Sequence, residues 1–285
     1  MTLRDTLRRT PILLGWRWLN AAIGAWRDRG RFAGVTTYCL FVGHGRSGHS
    51  IVGAMLDAHP DIVLSDELDA LQYVELGFTR DQVFSLSDQV AAHQARSLRR
   101  KSGRGGQTYS YHVPGQWQGR TVRPQVVGDS RAATTVKRLA RSPSLLGRLR
   151  ARMPGIQLRF VQVVRNPFDT IATMMLRTGR SFESAFAEYF SNWDAVDALK
   201  RRLRAEEFLV VGHEALLEDP RTELRRICAF LGVRCEDEYL EACAAILYPT
   251  PSRSRDLFQW TPEQRAMVAG RLDGIADLRG YSFDA

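Results

Sequence analysis

Gly43-His44-Gly45-Arg46-Ser47-Gly48-His49-Ser50 lies between an apolar run, Tyr38-Cys39-Leu40-Phe41-Val42, and a second one, Ile51-Val52-Gly53-Ala54-Met55-Leu56. The glycines let successive N–H groups point inward, and a helix starting near Gly48 adds the positive end of its dipole, so this stretch can wrap a phosphate. Arg46 supplies a full charge there, and Ser47, His49 and Ser50 can donate hydrogen bonds. A ligand-free Gly/Ser-rich turn between strand and helix has the same composition. A second group of interest is Arg165-Asn166-Pro167-Phe168-Asp169-Thr170-Ile171-Ala172-Thr173, which follows the apolar run Val161-Gln162-Val163-Val164. Arg165 falls at the carboxyl end of that run, where ligands collect in open α/β sheets. A structural arginine covering the sheet end would look the same. Thr173 lies about two helical turns further on. Asp66 and Glu67, after His59-Pro60, are candidates for a base that takes a proton from a nucleophile. Either could equally be a first-turn carboxylate favoured by a helix dipole.

The spacing G-x-x-x-x-G-x-S matches the loop of nucleoside triphosphatases, but His49 stands where that loop carries lysine. The backbone cradle survives while the side chain that reaches the β/γ-phosphates is gone, and the basic residue has moved inside the loop to Arg46. This points away from ATP hydrolysis and towards another phosphorylated nucleotide.

To position these groups the chain needs strands ending at each loop. Candidate strands are 37–43, 61–65, 125–128, 158–164 and 207–211. Candidate helices are 48–58, 67–77, 80–100, 131–141, 167–178, 182–204, 221–231, 236–247 and 262–272. Their alternation reads as an α/β protein with a parallel sheet flanked by helices on both faces. Pro167 suits a first helical position, Asp219-Pro220 opens the 221–231 helix that stops at Gly232, and Thr261-Pro262-Glu263 opens the final one. Residues 101–124, rich in Gly, Arg, Tyr and Gln, read as a long surface loop.

The 285 residues carry a net charge of +9, unevenly placed. Between Arg96 and Arg152 fourteen Lys/Arg face the single acidic Asp129, a local balance of +13 that leaves −4 for the remainder. Such asymmetry marks an anionic partner; no nucleic-acid-binding motif accompanies it. Cys39, Cys228, Cys235 and Cys243 show no metal-like spacing and read as free thiols in a reducing compartment, with a Cys235–Cys243 bridge as the alternative. Pro11 to Trp26 is interrupted by Arg17 and is shorter than the roughly 20 residues of a membrane span. With seven arginines beside Trp16, Trp18 and Trp26, residues 1–34 form a basic amphipathic segment, suited to lie at a membrane surface or on the domain 35–285.

Taken together, R-S-G-x-S…H-P-D and R-N-P-x-D-x-x-x-T resemble the two cofactor signatures of sulfotransferases that use 3′-phosphoadenosine 5′-phosphosulfate (PAPS). Further similarity, to the carbohydrate and tyrosylprotein members, covers Met55–Ile62, Gly128-Asp129-Ser130-Arg131, Val211–Leu216, Asp219-Pro220, Phe230-Leu231-Gly232, Ser252–Arg255 and Trp260–Glu263. The resemblance implies a P-loop-like fold in which Gly45, Arg46, Ser47, Gly48, His49 and Ser50 hold the 5′-phosphosulfate. Arg165 holds the 3′-phosphate with Thr173 in the place of the family's serine, and Arg253 and Arg255 lie in the loop that clamps the nucleotide. Arg46, with His49 as helper, would stabilise charge on the leaving phosphate. Glu67 is the first choice for the base and Asp66 the second. Arg131 is placed to substitute for a missing lysine, His44 to line the pocket, and Asp169 to cap its own helix; His213 reads as a surface or packing residue.

The reaction implied is in-line transfer of a sulfuryl group from PAPS, without a metal, to a hydroxyl or amine. The composition of 67–124 suggests a carbohydrate or glycolipid acceptor. The lack of a span suggests a cytoplasmic protein of bacterial type, peripheral at the inner membrane face. Two other classes remain: a P-loop kinase or nucleotide hydrolase, with Asp129 as its nearest Mg²⁺ ligand, and a non-catalytic module for an anionic ligand.

Overall fold

A computed structural model describes residues 11–101 and 111–284. Residues 1–10 and 102–110, which hold part of the basic segment and part of the expected surface loop, lie outside the described residues. Five strands form one sheet: β1 (Thr37–Gly43), β2 (Ile62–Ser65), β3 (Val126–Asp129), β4 (Gln157–Val164) and β5 (Phe208–Gly212). Their order is β2-β3-β1-β4-β5 and every pairing is parallel. All seven residues of β1 are buried, as expected of a central parallel strand covered on both faces.

The helices are α1 (Pro11–Arg27), α2 (His49–Asp57), α3 (Ala70–Glu75), α4 (Arg80–Lys101), α5 (Ala132–Arg141), α6 (Leu145–Arg152), α7 (Pro167–Thr178), α8 (Phe182–Lys200), α9 (His213–Glu218), α10 (Pro220–Leu231), α11 (Asp237–Ala244) and α12 (Pro262–Leu272). Side chains alternate across the sheet. Tyr38, Leu40 and Val42 enter a core shared with α1, α3, α4, α5, α6 and α8. Cys39 and Phe41 enter the opposite core, shared with α2, α10 and α11. A third cluster joins α7, α8 and α12 around Phe168, Trp193 and Trp260. The four cysteines are free thiols, so the Cys235–Cys243 bridge does not form.

Strand boundaries agree with the sequence reading to within a residue. The helix expected at 67–77 shrinks to 70–75, because Glu67 and Asp69 both take φ 62° and interrupt it. The one expected at 182–204 stops at Lys200. Helices α6 and α9 are not anticipated; α6 sits in the arginine-rich stretch, yet buries Leu145, Leu146 and Leu149.

Helix α1 docks on α4. A Cβ at Gly24 would fall 2.1 Å from Ser85 Oγ, so only glycine permits this approach. Ala21 is fully buried in the contact. Part of the expected loop also has a definite seat. Trp117 N–H donates to Ala58 O at 2.9 Å, and Thr121 Oγ1 donates to Ile62 O at 3.0 Å. Ala58 ends α2 and Ile62 begins β2, so this stretch covers the amino ends of the strands, opposite the end that carries Gly43.

Candidate active site

The order β2-β3-β1-β4-β5 makes β1 the point where the chain, having built one side of the sheet, turns to the other. The crevice above its carboxyl end is where such sheets bind ligands. The loop from Gly43 to Ser50 occupies that position. Gly43, Arg46 and Gly48 have φ of 112°, 68° and 92°. Arg46 is not glycine, and an arginine held in the left-handed region is a strained conformation that must be enforced by its surroundings. Ser47 is buried, and its Oγ donates to His44 O at 3.0 Å, bracing the loop from inside. His44 is buried too. Its Nε2 donates to Tyr189 O at 2.8 Å, and its ring rests against Tyr189 and Trp193, so it anchors the loop rather than lining an open pocket.

No side chain caps the N-terminus of α2, as is also true of α3, α5, α6, α9 and α11, while Asn166, Ser181, Asp219 and Thr261 cap α7, α8, α10 and α12. The first-turn N–H groups of α2 are thereby left for an anion. His49, the first residue of the helix, has its Nδ1 shielded from water with no partner. Burial and the nearby Arg46 charge pull its pKa down to about 4, while Glu67 opposes them.

The second expected motif meets the first. Arg165 is buried; its Nη1 donates to Arg46 O at 3.4 Å and its Nη2 to Ser252 O, while Nε has no partner. The same guanidinium therefore touches the loop and the C-terminal segment. His213, expected to be a surface or packing residue, is buried and packs against this loop. It opens α9 at the end of β5, and a Cβ on Gly48 would lie 2.2 Å from its Cδ2. Its Nδ1 is buried without a partner, and burial together with Arg165 lowers its pKa to about 4. Three orphaned nitrogens, on His49, His213 and Arg165, thus surround a glycine-walled loop beside an uncapped helix end. Buried polar groups are normally satisfied, and these three have no partner within the chain.

Thr173 donates its Oγ1 to Asp169 O at 2.7 Å, so its proton is committed within α7. Asp169 does not cap its helix as expected. Asn166 does, accepting from Phe168 N–H at 3.0 Å. Asp169 instead accepts from Arg255 N–H at 2.9 Å and pairs with the Arg255 guanidinium at 3.3 Å, in a buried contact that ties the C-terminal loop to α7. Arg253 is exposed and pairs with Asp256 at 2.9 Å. Of the two loop arginines, one is a buried tether and the other lies on the surface.

The carboxylates lie on the other side of β1. Glu67 is exposed and left-handed at φ 62°. Arg131 Nη1 donates to its carbonyl at 3.1 Å, so Arg131 holds the Glu67 backbone. Asp66 accepts from Ser130 Oγ at 2.9 Å, and its backbone is gripped by Gln94. Burial raises the Asp66 pKa. Beneath both, Asp129 is fully buried and accepts from Ala70 N–H at 2.9 Å and Leu68 N–H at 3.2 Å, with Ser65 Oγ at 3.2 Å. Burial pushes its pKa up to about 6. Its carboxylate is turned to the backbone of the Glu67 loop, which weakens its case as a Mg²⁺ ligand. The sequence signals for Asp129 and His213 were their places, just at the end of β3 and just beyond β5, where side chains collect around a ligand.

A model of the sulfotransferase family matches residues 40–237. Among solved structures, the chain is similar to the sulfotransferase domain of the Synechococcus PCC 7002 olefin synthase at 19% identity, covering 79% of this chain and 82% of that one with a TM-score of 0.47. It is similar to a sulfotransferase from Alicyclobacillus acidocaldarius at 18% identity, covering 86% and 94% with a TM-score of 0.46. Mouse sulfotransferase SULT7A1 complexed with PAP (3′-phosphoadenosine 5′-phosphate) shows 13% identity, coverage of 93% and 95%, and a TM-score of 0.45. No curated protein sequence matches the chain.

Proposed function

This chain belongs to the sulfotransferase family, whose enzymes use PAPS, and from that premise we propose which of its residues do the work and what kind of acceptor they serve. The observation that carries the assignment is the convergence of orphaned nitrogens on His49, His213 and Arg165 around the loop that α2 leaves uncapped. In this reading the loop N–H groups, Arg46, Ser50 and His49 hold the 5′ end of the nucleotide, and Arg165 holds its 3′-phosphate. Ser47 and His44 keep the loop in shape. When bound, PAPS supplies an activated sulfuryl group, which passes to an acceptor oxygen or nitrogen as PAP leaves. Arg46, exposed at the loop, lowers the energy of the negative charge that grows on the leaving side.

Glu67 takes the acceptor proton. It is exposed to an incoming molecule, close enough to His49 to oppose the lowering of its pKa, and held by Arg131 and, through Leu68, by Asp129. Asp66 is less suited, because one carboxylate oxygen already accepts from Ser130. Strain at Glu67 and Arg46 supports the pairing. With Asp69 they are the non-glycine residues of positive φ among the described residues, and such strain collects at functional sites.

The acceptor is a carbohydrate or the sugar head of a glycolipid. The surface around Glu67 is charged, with Arg46 exposed and Arg131 partly so, which suits a polar, hydroxyl-rich molecule better than an apolar one.

Calorimetric titration with PAP, against ATP and ADP with Mg²⁺, tests the cofactor assignment. Metal-independent binding of PAP alone is expected. Preference for ATP with Mg²⁺ would return the loop to the kinase class. A chain that binds PAP but sulfates no member of a glycan panel would remove the acceptor proposal and leave the nucleotide site standing.

A further inference from the structure

Helix α1 has two apolar faces and uses only one. Ala21 and Gly24 pack on α4, Arg17 donates to the Tyr73 hydroxyl, and Trp18 O accepts from Gln82 at 3.4 Å. Turned away from this contact, Trp16, Leu19, Ile23 and Trp26 recur at i, i+3, i+7 and i+10, a single stripe along the helix. With Trp18 at its edge, every member of the stripe is between 51% and 69% exposed. Scattered surface hydrophobics need no explanation, but a continuous row of large ones does.

We propose that this stripe is a docking face for a lipid bilayer with anionic headgroups. Three of the chain's six tryptophans lie in this helix, and tryptophan is the side chain that prefers the boundary between headgroup and acyl chain. The helix lies flat along α4, so the whole stripe can meet a plane at once, as an interfacial helix does. No helix among the described residues is long and apolar enough to cross a membrane. Arg29, exposed, and Arg27, exposed and paired with Asp28 at 3.0 Å, follow the stripe. Residues 1–35 hold seven arginines against Asp5 and Asp28, a net charge of +5. A second copy seated on the stripe would bring two such segments together, whereas anionic headgroups neutralise them.

The test is flotation of the full chain with vesicles of phosphatidylcholine containing about 30 mol% phosphatidylglycerol, and with phosphatidylcholine alone. Co-flotation with the anionic vesicles and a blue shift of tryptophan emission are expected. The combined variant Trp16→Ser, Ile23→Ser, Trp26→Ser should lower vesicle binding by roughly tenfold or more, with thermal melting unchanged because these side chains bear no core. The pair Arg27→Glu, Arg29→Glu keeps the stripe and should lose the preference for anionic over neutral vesicles. Absence of flotation by the unaltered chain overturns the proposal, as does equal flotation by the serine variant. A dimer in solution that the serine variant converts to monomer, without vesicle binding, would assign the face to a second copy instead.

Discussion

The buried carboxylate of Asp129 accepts the backbone N–H of Ala70 at 2.9 Å, and through this bond and its partner at Leu68 the end of β3 holds the turn that presents Glu67. A buried residue at the carboxyl end of β3 thus positions an exposed one beside it. Because Glu67 is left-handed, the turn is not held by helix propensity and depends on these bonds.

Replacement of Glu67 by Gln keeps the side chain's shape and removes its basicity. PAP affinity should be unchanged, while turnover falls by about 10²-fold or more, the contribution of a positioned general base. Full residual activity, measured with PAPS and a glycan panel, would move the base to Asp66 or elsewhere.

Asp129→Asn keeps an acceptor oxygen for either the Leu68 N–H and Ser65 Oγ side or the Ala70 N–H side, and turns an amide NH₂ towards the donors on the other. The loss of buried hydrogen bonding should cost about 1–3 kcal/mol of stability. Hydrogen exchange at Leu68 and Ala70 should accelerate, turnover should fall, and PAP binding should persist. Unchanged protection at those two amides would remove Asp129 from this role.

Arg165→Ala deletes the guanidinium shared between the loop and Ser252. PAP binding should weaken by about 1.5–3 kcal/mol, the range of a hydrogen bond to a charged group. Calorimetry at constant ionic strength reads this directly, and an unaltered dissociation constant would exclude Arg165 from the nucleotide site.

Gly48→Ala tests the contact between the loop and His213. The new Cβ would sit 2.2 Å from the imidazole at a backbone φ of 92°, so both space and conformation oppose it. Destabilisation above about 1 kcal/mol is expected, with a larger loss in PAP binding; a second substitution, His213→Ala, should relieve the steric part while leaving the backbone part.

The buried histidines predict acid sensitivity. Burial holds His44 at a pKa of about 4, below the roughly 6.5 of the unfolded chain. The folded state therefore favours the neutral ring, so the stability from this group is fully present above pH 6.5 and is lost as pH falls towards 4. Between those limits the loss is about 3 kcal/mol for this histidine. His49 and His213, lowered for the same reason, add in the same direction. Urea unfolding at a series of pH values should show a steep decline across that window, shallower in His44→Asn. A flat profile would mean that the imidazole is hydrated in the folded chain.

Much of this architecture was legible along the chain because its signals are local. An apolar run ending in a glycine loop places β1 and α2, and Asn166-Pro167 starts α7 where it was expected. Strand ends and residue type likewise single out Gly45 to Ser50 as a phosphate-sized turn, whereas for Arg165 they leave a structural role equally open, and its part as a phosphate ligand rests on the family resemblance. Partnerships were not legible, because they depend on which side chains meet across the sheet. In sequence Asp169 has the place of a helix cap, but its partner in the folded chain is Arg255, 86 residues away. His213 reads as a surface or packing residue, but that it packs on Gly48 depends on β5 folding at the sheet edge. Residues 101–124 read as a long surface loop, and only the folded chain shows that Trp117 and Thr121 seat part of it on Ala58 and Ile62. Local propensity set the elements and their ends; the parallel pairing of distant strands chose which polar groups face one another and which are left without a partner.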